Sequence, residues 1–320
     1  MIEAPPSNAS LPAADQGRSL VTSGPARLLD RKRRLSMYNQ LFKWLCIGSA
    51  VFVCLILFAI LIFMARTGLL TFQSVSPLTF FFSNEWVPEN DQYGAFVFIF
   101  GTFALTLLTM ALSVPLSVVV AIFLAEMTPA WLKNALRPIM DLLVGIPSVV
   151  YGFLGLTILI PLLRELTGSF MGDGLLAAAI VLTIMVLPTI SRITDDAITA
   201  VPHKYRDAAY ALGSTRFQTT VQVVLPAARS GILYAVILGM ARAVGETMAV
   251  VMVIGNTPQL ADSLFKPTAV LTSNIVMQIS NVPFDSTWNH ALYMMGLLLL
   301  IISLLMIVLI RIFQNRSDVR

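Results

Sequence analysis

Charge is scarce in this 320-residue chain: Asp, Glu, Lys and Arg together make up 12% of it. An average soluble domain carries roughly 25%, so a soluble enzyme or a disordered regulator is excluded. Cysteine is scarcer still, with two residues, which rules out a secreted disulfide scaffold. Cys46 and Cys54 share one apolar run, about 12 Å apart along a helix. A disulfide needs Cα atoms within about 7 Å, so both read as small buried hydrophobes. His203 and His290 are the only histidines, with no His-x-x-x-His spacing, and Ser148 lacks a Gly-x-Ser-x-Gly context. Neither a metal site nor a nucleophile–base set follows, which leaves nothing on which to base an intramembrane enzyme. What abounds is apolar: 57% of residues and a mean hydropathy of +0.82, in runs near the ~20 residues of a bilayer crossing. The chain reads as an all-α, polytopic membrane protein.

Residues 1–40 are polar, hold Pro5, Pro6, Pro12 and Pro25, and end in the basic run Arg31–Arg34. They read as a disordered, cytoplasmic tail. No small-residue cleavage site follows the first apolar run, so that run reads as a retained helix. Six transmembrane helices are expected, at Leu41–Met64, Ala95–Ala125, Ile139–Leu163, Leu175–Ile190, Gly231–Ile254 and Ala291–Ile310. Residues 41–90 hold the first of them and an external loop, 91–311 the transmembrane core, and 312–320 a second tail. Pro115 predicts a kink in the second span, and Pro188 predicts the end of a short fourth one. With the N-terminus inside, seventeen of the 21 Lys and Arg fall in inside segments and three outside, with Arg242 left within a span. The positive-inside rule then puts both ends in the cytoplasm of a multi-pass cell-membrane protein. A formal net charge of +4 is explained by that asymmetry and membrane lipid, with no need of nucleic acid.

The inside loop 191–230 is the most informative stretch. Val201–Gly213 reads as a short helix, with Pro202 in its first turn and Gly213 as a left-handed cap. Ala208 and Leu212 form a small apolar ridge. A second helix is expected from Ser214, as its cap, to Val224, stopped by Leu225-Pro226. On its own this is an amphipathic helical hairpin at a membrane surface. The spacing Asp207-Ala208-Ala209, three residues, Gly213, nine residues, Val223-x-Leu225-Pro226 resembles the "EAA" loop of ABC-importer permeases. Asp207 stands where that family has Glu, keeping the charge on a shorter arm.

The resemblance implies a type I ABC importer permease architecture in which this loop is the coupling helix that docks on a cytoplasmic ATPase. Asp207, Ala208, Ala209, Leu212, Gly213, Leu225 and Pro226 would then make the coupling contact. The chain holds no Gly-x-x-x-x-Gly-Lys-Ser/Thr phosphate loop. The motor is therefore expected on a separate subunit, and this chain is expected to carry no cofactor and no ATPase site, ATP and Mg being bound by the partner.

Two charges stand inside the fifth span. Arg242 and Glu246 are four apart, which on a continuous helix places them on one face. Charges at membrane depth cost about 2.5–3.5 kcal/mol each on insertion scales. Either they form an ion pair that fixes helix packing, or Arg242 offers a forked donor to a passing anion while Glu246 balances its charge. Ala235 and Gly239 continue their stripe and permit close packing.

The stretch Gly239–Val250 with Val253-Ile254-Gly255-Asn256 resembles the phosphate-specific branch of that family, the PstC and PstA permeases. So do Gly145-Ile146-Pro147-Ser148-Val149-Val150-Tyr151-Gly152 and the external Phe82-Ser83-Asn84-x-Trp86-x-Pro88 followed by Tyr93-Gly94. The long tail before the first span is more like PstC. The likeness covers residues 70–311. It implies import of inorganic phosphate with a homologous PstA-like permease, a PstB-like ATPase dimer and an external PstS-like phosphate-binding protein. In it Arg242 and Glu246 match a charged pair of the substrate path. The chemistry of an Arg alone equally suits sulfate or molybdate. An ATP-independent channel or carrier is the other class, and it has no reason for the Asp207–Pro226 spacing.

Three further acidic residues read as structural. Asp141 is expected to pair with Arg137 four positions earlier, and Asp195 and Asp196 to be solvated or ATPase-facing. Met294, Met295 and Met306 read as ordinary packing.

Overall fold

The structure, a computed structural model, describes residues 25–168 and 171–318, with side chains over 39–168, 171–308 and 310–312. Expectations for residues 1–24 lie outside it. Two bodies are distinguished, Met1–Ile60 and Leu61–Arg320.

In the first body, α1 (Pro25–Leu69) is already helical at Pro25, which corrects the expectation of a disordered tail to residue 40. Leu, Arg, Lys and Met are good helix formers, and a helix nucleated in the apolar run extends outward at little cost. Cys46 and Cys54 are exposed free thiols rather than buried ones. Every residue from Ala50 to Ala65 is apolar, so the helix has no polar face and small apolar side chains suit any side of it.

The second body begins with the end of α1 and a 3-10 turn (Leu70–Gln73), followed by α2 (Pro77–Phe82). A two-residue antiparallel hairpin comes next, β1 (Trp86–Val87) and β2 (Gln92–Tyr93), with Trp86 opposite Tyr93. The helix α3 (Phe96–Ile122) ends in a π turn, Phe123–Met127, and is followed by α4 (Ala130–Gly145), α5 (Ser148–Leu154), a second π turn and α6 (Ile160–Thr167). Then come α7 (Leu175–Thr199), α8 (His203–Ala211), α9 (Arg216–Thr219) with a third π turn (Thr220–Val224), and α10 (Leu225–Gly245). The chain closes with α11 (Met248–Val253), α12 (Leu271–Gln278) and α13 (Thr287–Asp318). Helix α13 thus takes in most of the expected tail 312–320.

Among the described residues six segments are long and apolar enough to cross a membrane: Asn39–Gln73, Phe96–Met127, Ser148–Thr167, Leu175–Thr199, Arg216–Gly245 and Thr287–Ile312. The number agrees with the sequence, but three of the spans differ. The third starts at Ser148, because Ile146 is extended (ψ 131°) ahead of Pro147, as a residue before proline prefers. Residues 130–145 form a separate helix with no buried side chain. The fourth runs straight through Pro188 to Thr199. Beside that proline Ser117 Oγ donates to the Leu187 carbonyl and Ser191 Oγ to the Ser117 carbonyl, both at 3.2 Å. Both bonds join α3 to α7 at the level of the proline. The fifth breaks at Glu246.

The most buried span is α7, with 61% of its apolar window covered against 28% or less for the others. Leu182, Met185, Val186 and Ile190 are fully enclosed, packed against side chains of α3, α5, α10 and α11. Gly239 of α10 lies so close to Ile190 and Val186 that no Cβ fits there. A second cluster gathers α2, the hairpin, α12 and α13 and contains Met294, Met295 and Met306. A third, of Ala121, Ile198, Val201, Val224 and Ala228, closes the end of the bundle where α8 sits.

Candidate coupling surface and translocation site

Three residues separate α7 from α8, and Pro202 caps the latter with an extended backbone (ψ 137°). At its far end Gly213 takes φ +82°, and the Gly213 and Ser214 amides donate to the carbonyls of Tyr210 and Ala209 at 2.9 and 3.2 Å. This is the left-handed stop expected from the sequence. The cap of the next helix is Thr215, not Ser214: its hydroxyl accepts the Gln218 amide at 3.3 Å and the Gln218 side chain accepts the Thr215 amide at 2.9 Å. Ser214 shares a hydrogen bond with Thr219 instead. Nor does Leu225-Pro226 end the helix. The π turn Thr220–Val224 absorbs the missing amide, and Pro226 occupies the first turn of α10, where no donor is needed. Of the expected loop 191–230 only residues 200–215 lie between long helices.

The motif residues divide by face. Asp207, Ala208, Leu212 and Gly213 are exposed and Ala209 is buried, while Leu225 is half-buried and Pro226 exposed. Leu212 is 90% exposed, and Phe217 on α9 is 76% exposed. On the opposite face Arg206 is 9% exposed. Its Nε and Nη2 donate to Glu126 Oε1 at 3.2 and 2.6 Å, its Nη1 to the Val201 carbonyl at 2.7 Å, and its Nη2 to the Ile198 carbonyl at 3.0 Å. Sequence reasoning passed over this arginine. The available signal was its three-residue spacing from Ala209, which sets both on the face turned from Asp207 and Ala208.

Arg242 and Glu246 do not share a helix face. Helix α10 ends at Gly245 and Glu246 is extended (φ −72°, ψ 126°). Gly245 is a poor helix former, and the Glu246 carboxylate accepts the Ala249 amide at 3.3 Å, capping α11 in competition with helix continuation. No ion pair joins the two charges among the described residues, which overturns the packing-pair alternative. Arg242 instead donates from Nη1 to Thr189 Oγ1 at 3.0 Å and from Nη2 to the Val144 carbonyl at 3.5 Å. It thereby ties α10 to α7 and to the last turn of α4.

Two helix breaks therefore lie near this arginine, at Ile146-Pro147 and at Glu246-Thr247. The segments beyond them pack together, with Gly152 of α5 directly against the backbone of Ala249 in α11. Tyr151 Oη reaches back across the first break to the Leu143 carbonyl at 2.9 Å, and Thr272 Oγ1 donates to the Glu246 carbonyl at 3.3 Å across the second. Irregular backbone at membrane depth is confined to places buried in protein or lining a path, and half-helices beside charged side chains are a transporter's means of handling ions.

The remaining acidic residues form a network between α4 and α7. Arg137 bonds Asp195, not Asp141, through Nε and Nη2 at 2.8 and 3.0 Å, and the Asp195 side chain is wholly enclosed rather than solvated. Arg192 bonds Asp141 at 3.1 Å, Asp196 at 2.7 Å and Asp195 at 3.4 Å. The correction follows from direction: Arg137 faces across to α7 rather than along α4. No group of three or more His, Cys, Asp or Glu side chains suited to a metal gathers among the described residues.

Residues 117–319 match the model of the family described as binding-protein-dependent transport system inner membrane component. The chain belongs to that family. Among curated relatives, this inner membrane component is similar to the probable ABC transporter permease protein YqgH of Bacillus subtilis (strain 168), 46% identical over 82% of this chain and 86% of that one. It is also similar to the phosphate transport system permease protein PstC of Xylella fastidiosa (strain Temecula1), 33% identical over 89% of this chain and 93% of that one. Its fold resembles a chain of the crystal structure of a bacterial alginate ABC transporter in complex with alginate pentasaccharide-bound periplasmic protein. There the TM-score is 0.62 at 14% identity, over 90% of this chain and 96% of that chain. This is an inner-membrane permease fold with six candidate spans.

Proposed function

We propose that this chain is the permease subunit of an ABC importer that carries inorganic phosphate across the cytoplasmic membrane, driven by ATP hydrolysed on separate subunits. The observation that carries the reading is the likeness, over more than four-fifths of the chain, to permeases named for phosphate transport, covering 89% and 84% of it. The exposed Asp207–Gly213 face supports it as a docking surface for an ATPase pair, which binds the ATP and Mg. The positive-inside count puts both termini and α8 in the cytoplasm. A second, homologous permease completes the membrane path, and an external phosphate-binding protein delivers the cargo. Nucleotide-driven movement of α8 rocks the spans about a path beside Arg242 and Glu246, alternating access between the two sides. Arg242 presents a planar fork suited to an oxyanion, and the low count of competing charges at that depth keeps the anion's release possible.

The test is phosphate uptake into proteoliposomes holding this chain with its candidate permease and ATPase partners, the binding protein outside and ATP on the ATPase side. Uptake that needs ATP and is unaffected by excess sulfate or molybdate is the expected result. Uptake without ATP would make the chain part of a carrier or channel. ATPase stimulation by sulfate or molybdate in place of phosphate would keep the architecture and change the cargo.

A further inference from the structure

The docking helix α8 is attached to the bundle by less than its position suggests. Its covalent links are residues 200–202, ending in Pro202, and residues 212–215, which include the left-handed Gly213. Both are natural joints. Its outward face is exposed, and on its inward face two side chains are buried, Ala209 and Arg206. A methyl group resists tilting very little. The guanidinium is different: its donors reach the Ile198 carbonyl in the last turn of α7, the Val201 carbonyl in the connection, and Glu126 in the π turn that ends α3. The Arg206 and Glu126 side chains are 11% and 15% exposed. The apolar cluster of Ala121, Ile198, Val201, Val224 and Ala228 occupies this same end.

We infer that Arg206, through Glu126 and the α7 carbonyls, is the strut by which movement of α8 enters the transmembrane helices, a positioning residue for energy coupling. The inference rests on the reading of α8 as the ATPase-docking helix. Its geometry is specific to arginine. Four bonds to three acceptors, on the ends of two helices and in the connection between α7 and α8, need the rigid planar fork, and an ammonium on a flexible stem cannot hold all of them at once. A charge-assisted pair so little exposed to water is also stiffer than a surface pair. With the strut in place α8 cannot shift without displacing the ends of both α3 and α7, the latter being the span buried deepest in the bundle. Without it α8 can pivot on Pro202 and Gly213 while the spans stay still, and ATP is consumed without transport.

The experiment compares phosphate imported per ATP hydrolysed for the wild-type complex, Arg206→Lys, Glu126→Gln and the double variant, in proteoliposomes with the binding protein supplied and the bound ATPase quantified. Arg206→Lys keeps the charge but loses the fork, and Glu126→Gln keeps the shape but removes the charge that strengthens the pair, so each weakens the strut and retains the fold. The expected result is normal ATPase binding with the import-to-hydrolysis ratio lowered about fivefold in each single variant. The double variant should be little worse than either, because both break one strut. An unchanged ratio overturns the inference. So does a loss of ATPase binding that accounts for all of the lost transport, since Arg206 would then only shape the docking helix. A wild-type complex with no ATP-dependent phosphate uptake would defeat the underlying reading instead, before any variant is compared.

Discussion

Arg137 grips the enclosed carboxylate of Asp195 with two nitrogens, at 2.8 and 3.0 Å. Helix α4 buries no side chain of its own, and this fork, the Arg137 bond to Thr199 Oγ1 at 3.3 Å and the Arg192–Asp141 bridge fasten it to α7. The two ion pairs are unequal, since the Asp195 side chain is 0% exposed and that of Asp141 57%.

Thermal unfolding in detergent should show the inequality. Arg137→Ala leaves a buried carboxylate with only longer contacts, from Arg192 and the Thr199 hydroxyl at 3.4 Å each, and is expected to cost about 3 kcal/mol. Asp141→Ala removes an exposed partner and is expected to cost less than about 1 kcal/mol. Equal effects would mean that α4 is held by something other than this network.

Gly213→Asp is expected to uncouple rather than unfold. A Cβ at this position meets nothing within 4 Å, so the substitution's cost is the left-handed backbone alone, about 1 kcal/mol and least for Asn or Asp. The added carboxylate sits on the exposed side of the turn after α8. The unfolding midpoint should shift by a few degrees while phosphate-stimulated ATP turnover falls. Normal stimulation would remove Gly213 from the coupling contact.

Leu212→Ala separates binding from stability more sharply. A side chain 90% exposed contributes within about 0.5 kcal/mol to folding. As the centre of an interface it would be worth about 2 kcal/mol of association, or roughly thirtyfold in Kd. Titration of the ATPase against the reconstituted permease pair would reveal that difference.

At the charged site, Thr189→Val keeps the shape and removes the oxygen that Arg242 Nη1 bonds. The expected outcome is a loss of about 1–2 kcal/mol in stability and a changed rate of uptake, because the guanidinium is no longer held between α7 and α10. Glu246→Gln keeps an acceptor for the Ala249 amide, so the fold is expected to persist while uptake falls. Unaltered uptake in both variants would take the path away from Arg242.

The length and spacing features of the chain were legible in its sequence. Six apolar runs gave the number of spans, and the fixed spacing from Asp207 to Pro226 located the short helix α8 and its left-handed glycine. Directions were harder to read. The residues from Ile139 to Gly145 merge with the apolar run that follows, although Pro147 after Ile146 marks the break locally. Arg242 and Glu246 look like neighbours only if the helix continues, and a side-chain cap on Ala249 is a tertiary choice that spacing does not reveal. Pro188 misled in the opposite sense, since a proline buried among packed helices is tolerated within a membrane span and that burial is a tertiary fact. Arg206 went unread because its partner, Glu126, is 80 residues away.

The contrast between α7 and its neighbours has a mechanical side. Its 25 residues make a rod about 37 Å long, helical from Leu175 to within three residues of α8. The segments packed against it are jointed, one at Pro147 and one at Glu246, and Arg242 bonds the rod and touches the edge of the first joint. Thr189, the residue that Arg242 bonds, lies about 15 Å along the rod from its α8 end. The give in this part of the bundle lies in the two joints beside the rod, at Pro147 and Glu246.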